Sequence, residues 1–180
     1  MRDTPKTPDL FAQLAPLRRY ALSLTRDRGD AEDLVHDALV KAMEGERTFR
    51  PGRDARAWLF SILHNTFVDR RRRQATRAGV EAPQADGLDV ALPASQDMAL
   101  RLQDVRRAFL SLPEEQRAAL HLVAIEGLPY EDAAAALGIP VGTLVSRVSR
   151  ARAQLRAMDG DEGTNVVRFR ARGGSDDASS

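Results

Sequence analysis

Hydrophobic residues in the first 73 positions recur at steps of three and four, the spacing of helices with one apolar face. The first stripe consists of Leu10, Leu14, Leu17, Ala21 and Leu24. The second consists of Ala31, Leu34, Val35, Ala38, Leu39 and Ala42, and the third of Ala55, Trp58, Leu59, Ile62 and Thr66. We expect Gly29 to separate the first two helices and Asp30 to cap the second. The third should run from about Asp54 to Arg73, with Trp58 in the core. The pattern predicts a three-helix domain.

The periodicity stops between residues 78 and 94, where Gly and Pro alternate with Ala, Asp and Glu. This composition is typical of a linker. A further stripe predicts a fourth helix and consists of Met98, Leu102, Val105, Phe109 and Leu112. Pro113 opens a fifth helix that ends before Gly127, and two more helices are expected at 130–137 and about 141–158, separated by Gly138. The residues after Asp159 predict a flexible tail.

A short helix, a glycine turn and a longer helix form a helix-turn-helix pattern at residues 130–158. If Leu144, Val148 and Ala151 face the core, hydroxyl and guanidinium side chains project outward. These are Thr143, Ser146, Arg147, Ser149, Arg150 and Arg152. Short donors suit the floor of a DNA major groove, and arginines suit phosphates and guanine edges. The alternative is a solvated helix whose arginines interact favourably with the helix dipole.

The third helix carries aromatic residues outside its expected core stripe. They are Phe60 and Phe67, with Asn65 between them and Arg70, Arg71, Arg72 and Arg73 after them. Exposed rings stack on unpaired bases, an amide bonds to a base edge, and arginines bind phosphates. This combination predicts a surface for melted DNA. The alternative is that Phe60 or Phe67 packs against the first two helices and the arginines simply end the helix.

The chain has 27 basic and 26 acidic residues, but these charges are segregated. Residues 27–46 hold seven acidic and two basic residues, a net of −5, whereas residues 50–77 hold eight arginines and two acidic residues, a net of +6. Any polyanion-binding surface must therefore be local. The acidic second helix is either a solvated face or, because Val35, Leu39 and Val40 widen its apolar stripe, a docking surface for a partner helix.

Several classes of function are excluded by what the sequence lacks. With no cysteine there can be no disulfide, thiolate metal site or cysteine nucleophile. His36, His64 and His121 fall on different predicted helices, and no metal-binding or phosphate-loop motif occurs. We predict a protein that is not an enzyme and needs no metal or other cofactor. No apolar run approaches 18 residues and the first residues are polar, so we expect a cytoplasmic protein without membrane insertion.

Three segments in chain order resemble those of one family: residues 31–37 (Ala-Glu-Asp-Leu-Val-His-Asp), 56–65 (Arg-Ala-Trp-Leu-Phe-Ser-Ile-Leu-His-Asn) and 142–152 (Gly-Thr-Leu-Val-Ser-Arg-Val-Ser-Arg-Ala-Arg). Over about residues 10–157 the chain resembles an extracytoplasmic-function (ECF) sigma factor of the sigma-70 family. The resemblance implies an all-α fold of two small helical domains joined by a flexible linker. The expected divisions are an N-terminal segment 1–9, region 2 at 10–77, the linker at 78–95, region 4 at 96–158 and the tail at 159–180.

The resemblance also implies a non-catalytic factor that binds core RNA polymerase, recognises minus-35 and minus-10 promoter elements and initiates transcription. Polymerase binding would involve Asp33, Leu34, Asp37, Leu39 and Val40. The minus-10 element would meet Asn65, Phe60, Phe67 and Arg70, Arg71, Arg72 and Arg73. The minus-35 element would meet Ser146, Ser149 and Arg150, with Thr143, Arg147 and Arg152 on the same helix. An anti-sigma factor is an implied partner, and the protein would be a monomer when bound to polymerase.

Four residues at three sites depart from the family pattern. His36 stands where the family usually has Gln, Val145 where Lys or Arg is common, and Pro140-Val141 where Ser-Pro often caps the recognition helix. These departures leave the minus-35 preference open.

Two other functions fit parts of the sequence. The first is an operator-binding helix-turn-helix regulator that acts without a sigma role and binds DNA tightly without polymerase. The second is an interaction module that sequesters another factor through the acidic helix, in which case replacing Arg70 to Arg73 or Arg150 would change nothing.

Overall fold

The computed structural model describes residues 10–45, 54–78 and 96–159, which are helical apart from short turns. The helices are α1 (Leu10–Thr25), α2 (Arg28–Glu44), α3 (Ala55–Ala78), α4 (Gln96–Ser111), α5 (Glu114–Leu120), α6 (Tyr130–Leu137) and α7 (Val141–Asp159). A π-helical turn, His121–Ile125, continues α5. The predicted all-α fold is confirmed. The predicted N-terminal segment, and the predicted linker and tail apart from their borders, lie outside the described residues.

Helices α1, α2 and α3 pack on one another as an N-terminal unit. Its interior is formed by Leu17, Tyr20, Leu24, Leu34, Phe60 and Leu63. The turn between α1 and α2 lies at Arg26, whose φ of 59° is left-handed, and Asp27 caps α2 by accepting a 2.8 Å hydrogen bond from the backbone N–H of Asp30. The prediction that Gly29 separates the helices and Asp30 caps the second is wrong. Asp27 supplies the cap three residues earlier, so Gly29 lies inside α2.

Helix α3 buries a wider face than its sequence pattern predicts. The buried residues are Ala57, Leu59, Phe60, Leu63, Thr66 and Phe67, whereas Trp58 and Ile62 are only partly buried at the edge of the core. The reason is that α3 contacts α1 and α2 on one side and α6 on another. A single apolar stripe in the sequence predicts one buried face of a helix, so it cannot predict that α3 is buried on two sides.

Helices α4 to α7 form a C-terminal unit in which α7 packs against α5 and α6. Pro113 begins α5, with Glu114 and Glu115 in its first turn, where acidic side chains favour the helix dipole. Gly138 ends α6 in the left-handed region at φ 65°, which favours glycine, and so produces the turn into α7. The predicted helix-turn-helix is therefore present as α6 and α7.

The two units pack against each other. Helix α3 lies against α6, and α1 lies against α5, so that the buried side chains form one continuous cluster. We call this packing of the two units the closed arrangement. It brings the candidate single-strand helix, α3, beside the helix-turn-helix.

Candidate nucleic-acid interface

Helix α7 has a buried apolar face and a mainly polar exposed surface, on which Val141 and Val145 are also exposed. Leu144, Val148 and Ala151 are buried, as predicted, against the rest of the C-terminal unit. On the other sides of the helix Ser149, Arg150 and Arg152 are exposed, and Thr143 and Ser146 are half-buried. The Ser146 hydroxyl donates a 2.9 Å hydrogen bond to the Thr143 carbonyl oxygen. The first turns of α7 thus offer hydroxyls, and its middle offers guanidiniums, to a DNA groove.

Arg147 is placed differently from the other predicted minus-35 residues. Its Nη2 lies 2.6 Å from Glu115 Oε2, and its side chain is 21% exposed. Its charge also reaches α3, where it adds to burial in lowering the pKa of His64 to about 4. In the closed arrangement Arg147 therefore faces the rest of the protein rather than the open face of α7.

The predicted exposure of Phe60 and Phe67 is wrong, since they are 0% and 5% exposed. The Phe60 ring meets Tyr20 edge-on, with centroids 5.4 Å apart. The alternative stated from the sequence, packing of Phe60 or Phe67 against the first two helices, is what occurs for Phe60, since its ring contacts Tyr20 of α1. Asn65, by contrast, is exposed as predicted.

The four consecutive arginines at the end of α3 have different environments. Arg70 donates to Asp37 Oδ2 at 2.5 Å and to the Asp33 carbonyl at 2.9 Å, both on α2. Arg71 pairs with Glu114 of the C-terminal unit, and Arg72 and Arg73 are exposed. Within the described residues, Arg72 and Arg73 therefore form no ion pair or hydrogen bond with another helix.

Most of the predicted polymerase-binding residues on α2 reach the surface. Asp33 and Val40 are exposed, and Asp37 and Leu39 are half-buried. Leu34 is the exception at 0% exposure, because it lies on the side of α2 that faces α1 and α3. Leu34 supports this surface from within and does not form part of it.

Sequence reasoning missed a group of charges between the two units, centred on the buried carboxylate of Glu126. The Glu126 carboxylate has no exposed surface and accepts hydrogen bonds from Arg19 of α1 and Arg56 of α3. His121 Nε2 lies 3.2 Å from Glu126 Oε1. These four residues are called the seam cluster. Arg19 and Arg56 lie 107 and 70 positions from Glu126, which hides their pairing with it from local patterns. The one local indication of a buried charge is Glu126, an acidic residue that directly follows the apolar segment ending at Ile125.

The pKa directions define the charges of the seam cluster. Burial alone would raise the pKa of Glu126, but the hydrogen bond with His121 and the charge of Arg19 lower it overall. Burial lowers the pKa of His121, and the bond with Glu126 opposes this only in part. Near pH 7 Glu126 is charged and His121 is neutral. Neutral His121 donates its Nε2 proton to Glu126, and its buried Nδ1 has no hydrogen-bond partner among the described residues.

Arg117 makes a second buried connection between the units. At 1% exposure it donates to the carbonyl of Ser23 in α1 at 2.5 Å, and to those of Leu112 and Leu110 at 2.6 and 3.1 Å. Burial, followed by the charge of Arg26, lowers the pKa of Arg117 to about 10, so it remains charged near pH 7. Three neutral carbonyl oxygens bind this cation directly, and the charge of Glu114 also favours it.

Two kinds of site are not found within residues 10–45, 54–78 and 96–159. No group of three or more His, Cys, Asp or Glu side chains there could hold a metal ion. No helix in the same ranges combines the length and apolar character that crossing a membrane would require.

Comparison with known proteins agrees with this geometry. The sequence matches the sigma-70 region 2 family over residues 10–77 and the sigma-70 region 4 family over residues 102–155. It is 41% identical over 154 residues to the ECF RNA polymerase sigma factor EcfG of Rhodopseudomonas palustris, which covers 83% of this chain and 82% of that protein.

Two solved structures have the same fold. One is the sigma factor RpoE of Bartonella quintana in complex with the anti-sigma factor NepR, with a TM-score of 0.71, 38% identity and coverage of 86% of this chain and 96% of that one. The other is CnrH in complex with the cytosolic domain of CnrY, with a TM-score of 0.61, 30% identity and 86% of both chains covered.

The chain belongs to the ECF sigma factors of the sigma-70 family. It is a non-catalytic factor that directs RNA polymerase to promoters.

Proposed function

We propose that α2 docks on core RNA polymerase, α3 contacts the minus-10 element and α7 contacts the minus-35 element. The polymerase surface comprises Asp33, Asp37, Leu39 and Val40, with Leu34 beneath it. The observation that carries the proposal is the polar face of α7. Ser149, Arg150 and Arg152 are exposed there, opposite a fully buried apolar face, and residues 140–156 contain no acidic residue. Such a face is complementary to a DNA groove bordered by phosphates.

The closed arrangement is the form without promoter DNA in this proposal. Promoter elements named minus-35 and minus-10 are about 25 base pairs apart, or about 85 Å along B-DNA. The units that carry α3 and α7 are in direct contact, so they cannot occupy both elements at once. The predicted linker, at about 60 Å when extended, lets the two units separate and reach both elements.

The minus-10 contact would begin at the exposed part of α3. Asn65 offers an amide to a base edge, and Arg72 and Arg73 offer cations to phosphates. Phe60 and Phe67 are buried in the closed arrangement, so their proposed contact with unstacked bases requires a change in the packing of α3. Departure of α6 supplies such a change, because α6 covers α3 here.

We further propose that an anti-sigma protein holds this factor inactive. The support is that the similar sigma factor RpoE was solved in complex with the anti-sigma factor NepR, and CnrH in complex with the cytosolic domain of CnrY. When released, the factor binds polymerase as a monomer, since a single chain carries both promoter-contacting units. It acts in the cytoplasm, where polymerase and promoter DNA are found together.

Run-off transcription with purified core polymerase tests this function. The templates are promoter fragments that include the region upstream of the gene encoding this protein. A discrete start site that depends on the added protein is expected. A folded protein that yields no transcript and does not co-elute with core polymerase would overturn the proposal. Tight sequence-specific binding without polymerase would favour the operator-binding alternative instead.

Matched variants test the two DNA helices. Arg150→Ala should weaken promoter binding about 10-fold through loss of a groove contact, whereas Arg156→Ala, near the end of α7, should not. Asn65→Ala should reduce promoter opening, followed by permanganate reactivity of unpaired thymines, more than it reduces polymerase binding. Gln74→Ala is the control on α3. Equal loss of opening and polymerase binding in Asn65→Ala would contradict the assigned role of Asn65.

A further inference from the structure

The arginine pair of the seam cluster, Arg19 and Arg56, has the geometry of an anion site. Arg19 donates from Nε and Nη2 to the two carboxylate oxygens of Glu126, each at 3.2 Å, and Arg56 Nη2 donates to Glu126 Oε2 at 2.5 Å. A two-pronged guanidinium contact that holds a carboxylate also suits a phosphate. The guanidinium of Arg56 lies 5.7 Å from the centroid of the Phe60 ring, whose buried position fixes one side of the site.

The two sides of this contact belong to different units. Both arginines belong to α1 and α3 of the N-terminal unit, while Glu126 belongs to the C-terminal unit. No other carboxylate among the described residues forms an ion pair with either arginine. If the units separate on a promoter, Glu126 leaves and two neighbouring like charges lose their shared anion. Such a pair strongly attracts a replacement anion.

We infer that Arg19 and Arg56 bind a backbone phosphate of promoter DNA in the open form, and that Glu126 occupies this phosphate site in the closed arrangement. The inference rests on the proposed function, because it requires separation of the units on DNA. DNA is the polyanion present when separation occurs, and the pair lies on the unit whose α3 also carries Asn65 and Arg72. Glu126 therefore competes with DNA for one site.

The test compares variants that act on opposite sides of the contact. Holoenzyme is assembled from core polymerase and each variant, and its affinity for a labelled duplex promoter fragment is measured between 50 and 200 mM KCl. The Arg19→Gln/Arg56→Gln double variant should bind about 10-fold more weakly at low salt. It should also lower the slope of log affinity against log salt by about one. Arg18→Gln, which removes a neighbouring exposed arginine of α1, should leave both unchanged.

Glu126→Gln should change promoter affinity in the opposite direction from the double arginine variant, or leave it unchanged. It weakens the closed contact but keeps both arginines, so promoter affinity should stay equal or rise and the salt slope should remain that of the wild type. Arg56→Lys keeps the positive charge, so it should keep most of the wild-type slope of log affinity against log salt. If the arginines served only to close the protein, the double variant and Glu126→Gln would behave alike and neither would bind more weakly. That result overturns the inference.

The failure of the proposed function has a different signature. If the wild-type holoenzyme neither bound the promoter nor transcribed from it, the proposed function would fall and the phosphate site with it. If wild-type and double-variant holoenzymes transcribe and have the same salt slope, only the phosphate site is overturned.

Discussion

The two units of this protein fill their interiors in different ways. Among the described residues of the N-terminal unit, the buried polar groups are the hydroxyls of Tyr20, Ser23 and Thr66. The Tyr20 hydroxyl is hydrogen-bonded to His64, and the other two donate to a carbonyl of their own helix. The C-terminal unit instead buries Arg117, His121 and Glu126, of which Arg117 and Glu126 bond across to α1 or α3. The interior of the N-terminal unit is mainly apolar, whereas the C-terminal unit has buried charged residues that contact the N-terminal unit.

This difference bears on how the units can separate. An apolar core cannot open without exposing hydrophobic area to water, which costs about 25 cal/mol per Å². Buried charges lose strong mutual contacts on opening, but water then solvates them, so the net cost is smaller than the contacts suggest. The buried charges therefore lower the cost of separating the two units, to which the apolar cluster that spans both units still adds. Four measurements can test this contrast.

The largest effect is expected from Phe60→Ala in the apolar interior. Phe60 is fully buried against Tyr20, so truncation leaves a cavity and should lower the free energy of unfolding by about 3–5 kcal/mol. Urea denaturation followed by circular dichroism measures this loss. Phe60→Leu should lose less, since it fills part of the space. A loss below about 1 kcal/mol for Phe60→Ala would show that this ring is not part of a close-packed core.

A smaller but still large effect is expected from Arg117→Ala. Three carbonyl oxygens lose a charged donor, which should lower the free energy of unfolding by about 2–4 kcal/mol. Arg107→Ala is the control, because that side chain is 78% exposed and should change stability by less than about 0.5 kcal/mol. If both substitutions lowered the free energy of unfolding by the same amount in a urea titration, the buried charge of Arg117 would not contribute more to stability than an exposed one.

The local parts of this fold were predictable from the sequence, because helix periods, Pro113 and Gly138 act over a few residues. The helix-turn-helix and the outward face of α7 follow from such signals. The full extent of the buried face of α3, which includes Phe60 and Phe67, could not be predicted, because α3 also contacts α6 of the other unit.

The seam cluster was beyond sequence reasoning for a related reason. Arg19, Arg56 and Glu126 each resemble ordinary charged residues on a helix surface, and only tertiary packing brings them together. Arg147 shows the same limit, since its pairing with Glu115 depends on how α5 lies against α7. Charge partners that are distant in sequence cannot be assigned from helical periodicity.

Lowering the pH should decrease the free energy of unfolding by a moderate amount because of His64. His64 Nδ1 lies 3.0 Å from the Tyr20 hydroxyl, and burial and the charge of Arg147 lower the pKa of His64 to about 4. An unfolded histidine titrates near 6.5, so the stabilisation is complete above about pH 6.5 and is lost as pH falls towards 4. The free energy of unfolding should decrease by about 1–3 kcal/mol over this interval.

His64→Gln provides the control for this pH dependence. Glutamine accepts the Tyr20 hydrogen bond without titrating, so the decrease in unfolding free energy between pH 6.5 and 4 should become shallower. It should not vanish, because burial also lowers the pKa of His121 and acts in the same direction. An unchanged pH profile in His64→Gln would mean that His64 is not held neutral between the units.

The smallest effect is expected from the exposed ion pair that crosses between the units, Arg71 with Glu114. Their side chains are 48% and 34% exposed, so water screens the pair and Glu114→Gln should cost less than about 1 kcal/mol at 150 mM salt. Glu115→Gln is the matched control, because it removes the neighbouring charge from the first turn of α5 but breaks a pair within one unit. The difference in unfolding free energy between the two variants gives the contribution of the Arg71–Glu114 pair between the units. If Glu114→Gln cost as much as Arg117→Ala, exposed pairs rather than buried charges would hold the units together, and the contrast between the two interiors would not explain their docking.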